Sequence, residues 1–325
     1  MKTKKILLTL LSLALSLVYA QTTRQRSVML MGSRFEITIV DKDSTAAEEK
    51  INIAIAEISR IENLISEWRA NTEVSEVNRN AGIRPVKVSS EVIKLTERAL
   101  WFSKITDGAF DISIAAMDKI WRFDDSMDSL PSHEQIKASI RNVGYKNIII
   151  NRKKSTIFLK NKGMKIGFGA TGKSYSADKT KALMQQLGVQ AGIINASGDI
   201  ALWGTQPDGS AWTVGIADPF QSGEVLKVLK LRNTAIVTSG DYQKFVEFGG
   251  KRYSHIINPK TGYPSTGLTS VTITGENAET ANGLSTSVMV LGKEKGLRLL
   301  KKFPSYQYLI IEDNGNITQS TGFDQ

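Results

Sequence analysis

Residues 167–174 (GFGATGKS) combine glycines, a lysine and a hydroxyl at the spacing of a phosphate-binding P-loop. The same segment contains the G-x-G-x-x-G pattern of dinucleotide-binding folds, at Gly167, Gly169 and Gly172. Both patterns bring backbone N–H groups close to a phosphate at the N-terminus of a helix. We therefore expect an anionic ligand near this segment and a helix over residues 175–187. Each pattern also requires a parallel βαβ unit, so the remaining elements decide whether either one applies.

A histidine close to hydroxyl and carboxylate groups marks a second place for chemistry. His255 is predicted at the end of a strand, just before the turn residues Pro259 and Gly262. Imidazole changes its charge near neutral pH, so such a residue is suited to proton transfer. A structural role for His255 is equally compatible with the sequence. The other histidine, His133, falls in the first turn of a predicted helix, where we expect it to be solvated.

Two further segments carry polar groups in defined positions. The Asp-Gly turn at Asp107 presents Phe110 beside Asp111, which is typical either of a packed loop or of a ligand contact. In a helix predicted over residues 279–291, Asn282 and Thr286 stand four residues apart on one face. Oxygen atoms at that spacing can share a hard cation, although a solvated polar stripe has the same pattern.

The elements that must position these groups indicate an α+β fold. Alternating apolar residues predict strands within residues 27–40, and isoleucines every three or four residues predict a long helix from a Thr45/Glu48 capping box to Trp68. The other predictions are a helix opened by a Ser132/Gln135 capping box, a hairpin of 148–150 with 156–159, and strands at 212–216, 225–231, 244–248, 270–274 and 308–311. Hairpins and separate helices argue against a doubly wound sheet, and therefore against both nucleotide-loop patterns.

The N-terminus has the pattern of a cleavable signal peptide. Three lysines precede the apolar run 6–18, and Ala20 precedes Gln21 at a small-residue cleavage pattern. The run is shorter than the ~20 apolar residues that cross a bilayer. We therefore expect removal of residues 1–20, one domain over residues 21–325, and a periplasmic protein that is soluble or peripheral to the inner membrane. Free ATP is scarce there, which argues further against a P-loop ATPase.

Composition narrows the function classes. The chain has no Cys, which excludes disulfides and thiolate metal sites. The net charge is +10, and removing the three lysines of residues 1–20 leaves +7. This surplus favours an anionic ligand or membrane surface. We expect no nucleic-acid partner, because basic runs with interleaved aromatic residues are absent.

Short motifs along nearly the whole mature chain resemble, in order, those of the ApbE family of FAD:protein FMN transferases. They are Met31-Gly32-Ser33-x-Phe35, Ser66-Glu67-Trp68-Arg69 with Ser75 and Asn78, Gly108-Ala109-Phe110-Asp111, Lys173-x-Tyr175-x-x-Asp178, Asn195-Ala196-Ser197-Gly198-Asp199, Thr238-Ser239-Gly240-Asp241-Tyr242, His255-Ile256-Ile257-x-Pro259 and Ala281-x-x-Leu284-x-Thr286. Each motif alone is weak, whereas eight in sequence are specific. They identify residues 167–174 as the Gly-rich segment of this family.

The resemblance implies a compact T-fold-like domain with FAD in a cleft between two subregions. It also implies an Mg²⁺-dependent reaction that splits FAD at the pyrophosphate, joins FMN to a Thr or Ser hydroxyl of an acceptor protein and releases AMP. The family's acceptors carry the pattern Asp-x-x-Ser/Thr-Gly-Ala-Thr and are usually respiratory flavoprotein subunits in the membrane. By motif match, the implied FAD contacts are Met31, Trp68, Ala109, Phe110, Asp111, Lys173 and Ile256; the implied metal positions are Ala170, Asn282 and Thr286; and the implied proton acceptor is His255, oriented by Asp241.

The chain departs from the family pattern at three positions. Gly167 and Asn282 stand where the family usually has Asp, and Ser174 stands where it has Gly. The loss of two carboxylates predicts weak Mg²⁺ binding by the protein alone. It also leaves open an FAD pyrophosphatase that releases FMN and AMP, and a non-catalytic FAD-binding protein.

Overall fold

The computed structural model describes residues 21–123, 126–240, 245–249 and 251–323. The helices are α1 (Ser44–Ile65), α2 (Glu73–Arg79), α3 (Ser90–Ile105), α4 (His133–Ser139), α5 (Thr171–Gln186) and α6 (Ala278–Leu300). The strands are β1 (Thr22–Leu30), β2 (Ser33–Asp41), β3 (Val86–Lys87), β4 (Ile148–Asn151), β5 (Thr156–Leu159), β6 (Ala191–Ala196), β7 (Asp199–Trp203), β8 (Trp212–Ala217), β9 (Val225–Leu231), β10 (Ala235–Gly240), β11 (Phe245–Phe248), β12 (Lys251–Ser254), β13 (Leu268–Gly275), β14 (Gln307–Glu312) and β15 (Ile317–Gln319).

The main sheet has the strand order β1-β2-β6-β7-β10-β13-β14-β15. Each neighbouring pair in this sheet is antiparallel. The described residues therefore form no parallel crossover unit, and residues 164–166 before the Gly-rich segment are not a strand. This confirms the α+β prediction and excludes a P-loop or dinucleotide-binding fold for residues 167–174.

Helices α1, α5 and α6 cover one face of the main sheet, while the β8–β9 hairpin packs on the other. Phe35, Ile37 and Ile39 alternate along β2 into the helical side and are fully buried, as their spacing predicts. All eight residues of β13 are buried because the strand is covered on both faces. A smaller sheet of order β3-β5-β4 and helices α2 and α3 extend the core beside α1.

The boundaries of α1 differ from the sequence prediction. Asp43 caps the helix by accepting a hydrogen bond from the Ala46 N–H at 2.8 Å, so the predicted Thr45/Glu48 capping box is wrong. The helix ends at Ile65, and Trp68 therefore lies in the loop that follows. The Ser132/Gln135 capping box of α4 is confirmed, with both reciprocal hydrogen bonds present.

Helix α6 contains a break at Gly292, whose φ of 74° is outside the helical region. The turns that carry Asn282 and Thr286 precede this break, as the prediction for residues 279–291 requires. In the part of the chain that the structure describes, none of the helices combines the length and apolar character of a membrane span.

Candidate active site

The Gly-rich segment is held by contacts from distant parts of the chain. The Asn78 side chain donates to the Ile166 carbonyl at 2.9 Å and accepts from the Ile166 N–H at 2.8 Å. The Gly167 N–H donates to the Ile112 carbonyl at 3.0 Å. Helix α5 then begins at Thr171, inside the motif, so that Lys173 lies in its first turn. The segment thus places a lysine and a helix N-terminus together, which favours an anionic ligand.

A buried carboxylate lies beneath this first turn. Ser174 Oγ and Asn282 Nδ2 both donate to Asp199 Oδ2, at 2.6 Å and 3.2 Å. Burial raises the pKa of Asp199 to about 6, and the positive charge of Lys173 and the two hydrogen bonds oppose that rise. Ser174 and Asn282 are two of the positions where the chain departs from the family pattern. Both residues stabilise the same group, because each donates a hydrogen bond to the buried Asp199 carboxylate.

The residues matched to metal positions offer oxygen atoms that suit a hard cation. Thr286 Oγ1 lies 3.4 Å from Asn282 Oδ1, and Ala170 provides a backbone carbonyl at the start of α5. These donors fit Mg²⁺ by type, but all are neutral. Within residues 21–323, apart from the undescribed positions, no three His, Cys, Asp or Glu side chains form a metal-binding group.

Three cavities share a lining residue, Glu67, and the Gly-rich segment lines two of them. The inner cavity, about 170 Å³, is lined by Ala109, Phe110, Ala170 and Thr286 among others. The Met31 cavity, about 570 Å³, lies between Met31, Trp68 and Lys173. The outer cavity, about 760 Å³, continues from Trp68 along Arg79 and Lys119. The last two have the size of small-molecule binding sites.

Met31 and Trp68 reach the Met31 cavity for different local reasons. Met31 and Gly32 form the two-residue turn between β1 and β2, and both have the positive φ that such tight hairpins use. Trp68, beyond the end of α1, is 76% exposed, and Lys119 Nζ lies 4.4 Å from its ring centroid. An exposed indole with a cation above it offers a stacking surface for a planar ligand.

Ala109, Phe110 and Asp111 are all buried, and the three line the inner cavity. Phe110 packs against Phe102 with ring centroids 5.5 Å apart. The Asp111 carboxylate accepts from the N–H and hydroxyl of Ser113 and from the Tyr145 N–H, at 2.6–2.8 Å. Burial raises the pKa of Asp111, whereas these bonds oppose the rise. Asp111 thus holds the loops around the cavity together through these hydrogen bonds. Its motif also predicts a contact with the ligand.

His255 follows the last residue of β12, as predicted, and its side chain is exposed. Its ring lies edge-on to Phe123, with centroids 6.5 Å apart. The next residue, Ile256, accepts a hydrogen bond from the Ser265 N–H at 2.8 Å, and Ile257 lines the inner cavity. His255 therefore stands two residues from the cavity wall. Asp241, its predicted orienting partner, lies outside the described residues.

Glu67 is the site residue that sequence reasoning missed as a functional group. It lines all three cavities, and it was visible in the sequence only as part of a motif around Trp68. Its carboxylate lies in the space beside Gly167, which is one hundred positions later in the chain. No local spacing in the sequence connects the two residues.

The fold and the cavities beside a Gly-rich helix start define an α+β protein built to hold a phosphate-containing ligand. The chain matches the ApbE family over residues 31–310, and it belongs to that family. It is 30% identical to the FAD:protein FMN transferase of Haemophilus influenzae, with 98% of this chain and 96% of that protein covered. It is also 30% identical to an FAD:protein FMN transferase of Klebsiella pneumoniae, over 91% of each chain.

Solved structures agree with this assignment. The ApbE protein of Thermotoga maritima superposes with a TM-score of 0.84 at 28% identity, covering 93% of this chain and 98% of that one. The apo flavinyl transferase ApbE of Pseudomonas stutzeri gives 0.81 at 28% identity, covering 94% and 96%. The predicted family and the compact α+β domain are therefore confirmed.

Proposed function

We propose that this enzyme transfers FMN from FAD to a Thr or Ser hydroxyl of an acceptor protein, with Mg²⁺, and releases AMP. The observation that carries the proposal is the convergence of motif-matched residues from five separate segments on connected cavities: Met31, Trp68, Phe110, Lys173 and Thr286. The relatives named FAD:protein FMN transferase support the same substrate and reaction.

Binding and charge neutralisation are the main tasks of such a site, because transfer at phosphorus depends on positioning and on stabilising negative charge. Lys173 and the N-terminus of α5 bring positive charge to the cavities near the Gly-rich segment, where it can stabilise the negative charge of the substrate. Trp68 offers its exposed ring to a planar part of FAD. Ala109 and Phe110 line the inner cavity, and their apolar side chains would keep water away from the reacting groups.

The chemical step joins the acceptor oxygen to the phosphorus atom of the FMN half. The bond from that phosphorus to the bridging pyrophosphate oxygen breaks, and the electron pair leaves with AMP. His255 takes the proton of the attacking hydroxyl, for which an exposed imidazole two residues from the cavity wall is suited. We propose that Asp241 orients His255.

Ala170, Asn282 and Thr286 would hold the metal through a carbonyl, an amide oxygen and a hydroxyl. When bound, Mg²⁺ supplies charge neutralisation and orientation of the pyrophosphate oxygens. Mg²⁺ commonly joins sites in which substrate phosphates provide part of the coordination, and neutral protein donors favour that order of binding.

Incubation with FAD and Mg²⁺, with and without a peptide carrying the acceptor pattern Asp-x-x-Ser/Thr-Gly-Ala-Thr, tests the proposal. We expect a flavinylated peptide and AMP, detected by mass spectrometry. Free FMN and AMP at the same rate without peptide would make the enzyme an FAD pyrophosphatase. FAD binding without turnover would make it a flavin-binding protein.

We also propose export to the periplasm, on the strength of the lysines and apolar run of residues 1–20. Acceptors would then be membrane flavoproteins with domains on that side. Cell fractionation and the N-terminal mass of the purified protein test this, with a mature chain that begins at Gln21 as the expected result. A full-length chain in the cytoplasmic fraction would refute export.

A further inference from the structure

The Glu67 carboxylate occupies the space where a side chain on residue 167 would lie. A Cβ atom built on Gly167 would be 1.8 Å from Glu67 Oε2 and 2.3 Å from Glu67 Cδ. The backbone of Gly167 does not have a positive φ, so its conformation does not by itself require glycine. Glycine at 167 is therefore explained by the room that Glu67 needs, and the loop's conformation does not require it.

Glu67 brings a carboxyl group into the site with little compensation for its negative charge, and burial raises its pKa. It is half-buried, and the Phe168 N–H donates to its carboxylate. Lys165 and Lys119 act on it only at longer range, and it forms no ion pair with a Lys or Arg in the portion of the chain that the structure describes. The inner cavity brings this carboxylate together with Ala170 and Thr286, which are neutral oxygen donors.

An uncompensated carboxylate is unfavourable in a cavity that receives a pyrophosphate. Two negative groups repel each other strongly in a partly dehydrated site, unless a cation lies between them. Mg²⁺ is commonly bound by one or two carboxylates together with substrate phosphates. Glu67, the neutral oxygens and the phosphates of the substrate together provide this set of Mg²⁺ ligands.

We propose that Glu67 supplies the negative charge of the divalent-cation site, from a chain position one hundred residues before Gly167. This inference rests on the proposed magnesium requirement. It accounts for the departure from the family pattern at residue 167, because the carboxylate missing there is replaced by one that enters from the loop after α1. The charge acts on Mg²⁺ directly or through its bound water.

The first test measures cation binding without turnover. Purified protein is loaded with FAD in the absence of an acceptor peptide and titrated with Mn²⁺, and the free Mn²⁺ is followed by electron paramagnetic resonance. We expect Glu67→Gln, which keeps the side-chain volume, to weaken Mn²⁺ binding about 10–100-fold, the range for losing a group that supports a metal. The exposed Glu49 on α1 provides the control, and Glu49→Gln should bind Mn²⁺ as the original chain does.

The two ways in which this titration can fail have different meanings. An original chain that binds no more Mn²⁺ than free FAD does would refute the magnesium requirement, and the role of Glu67 with it. Tight binding that is equal in the original chain and in Glu67→Gln would refute the role of Glu67 alone and leave the proposed function standing.

The second test moves the charge from one side of the contact to the other. We expect Glu67→Ala to lose Mn²⁺ affinity, and Glu67→Ala/Gly167→Asp to recover most of it, because the new carboxylate enters the space that Glu67 vacates. Glu67→Ala/Gly167→Ala fills the same space without charge and should not recover binding. Equal recovery in the two double variants would show that Glu67 only fills volume. Thermal melting of each variant checks that the fold is intact.

Discussion

Replacing Asn282 by Asp tests the electrostatics of the site most directly. Asn282 Nδ2 lies 3.2 Å from the buried Asp199 Oδ2, so Asn282→Asp would place a second carboxylate oxygen against the first. Two unit charges 3.2 Å apart repel by about 5 kcal/mol at an effective dielectric constant of 20. Protonating an ordinary aspartate at pH 7 costs about 4 kcal/mol. Because the repulsion is larger, we expect the metal-free pair to hold one shared proton at neutral pH.

This shared proton predicts a specific pH dependence. The pair has a raised pKa in the folded protein, so between about pH 4 and that pKa the folded variant binds more protons than the unfolded chain does. The free energy of unfolding of Asn282→Asp should therefore fall as the pH rises through this window. Urea unfolding at pH 6 and pH 8, compared with the original chain, measures the effect.

Metal binding to the variant should displace the shared proton. We expect calorimetry of FAD-loaded Asn282→Asp at pH 7, in buffers of different ionisation enthalpy, to show release of close to one proton per Mg²⁺ and far less for the original chain. At pH 8 the variant should need less Mg²⁺ for half-maximal transfer, since the new carboxylate is then a charged ligand. Asn277→Asp, at the cap of the same helix, is the matched control. No proton release and an unchanged Mg²⁺ requirement would refute the placement of residue 282 at the metal.

The remaining predictions concern the base, the ligand and the Gly-rich segment. We expect His255→Ala to slow FMN transfer by about 10²–10⁴-fold with little change in FAD affinity; an equal loss of binding would instead make His255 a ligand contact. Calorimetry should show FAD bound more tightly than ATP, and a preference for ATP would contradict the proposed substrate. Asn78→Ala removes both hydrogen bonds to Ile166 and should lower the free energy of unfolding by about 1–3 kcal/mol, measured in urea, and weaken FAD binding; unchanged FAD affinity would show that this clamp does not position the segment.

Periodic elements could be predicted from the sequence because burial on one face leaves a local signal. Examples are Ile51, Ile58, Ile61 and Ile65 of α1 and the alternating residues of β2, which are buried as expected, whereas the predicted core residue Ile55 is only half-buried. The start of α1 was missed because Asp43 and Thr45 are both acceptable caps. The direction in which the chain enters the helix determines which of the two residues is the cap, and the local sequence does not reveal that direction.

The motifs predict the residues of the candidate site but not their electrostatic environment. Asn282 is predicted as a metal position from its motif alone, whereas its hydrogen bond to Asp199 depends on how α6 packs against β7. The packing of Glu67 beside Gly167 likewise joins two loops that only tertiary folding brings together. Such long-range pairs leave no periodic trace in a single sequence.

The anchoring of the Gly-rich segment also has a consequence for how the protein folds. Residues 164–170 have no strand or helix of their own, and Asn78 fixes them across 88 positions of chain. Contacts that close such long loops form late, since the entropy of closure opposes them until the rest of the core is in place. FAD should therefore bind only the completed fold, and at one hundred times its Kd it would add about 2.7 kcal/mol to the free energy of unfolding. The substrate thus also acts as a folding ligand, so flavin supply should govern how much of this enzyme survives proteolysis in the cell.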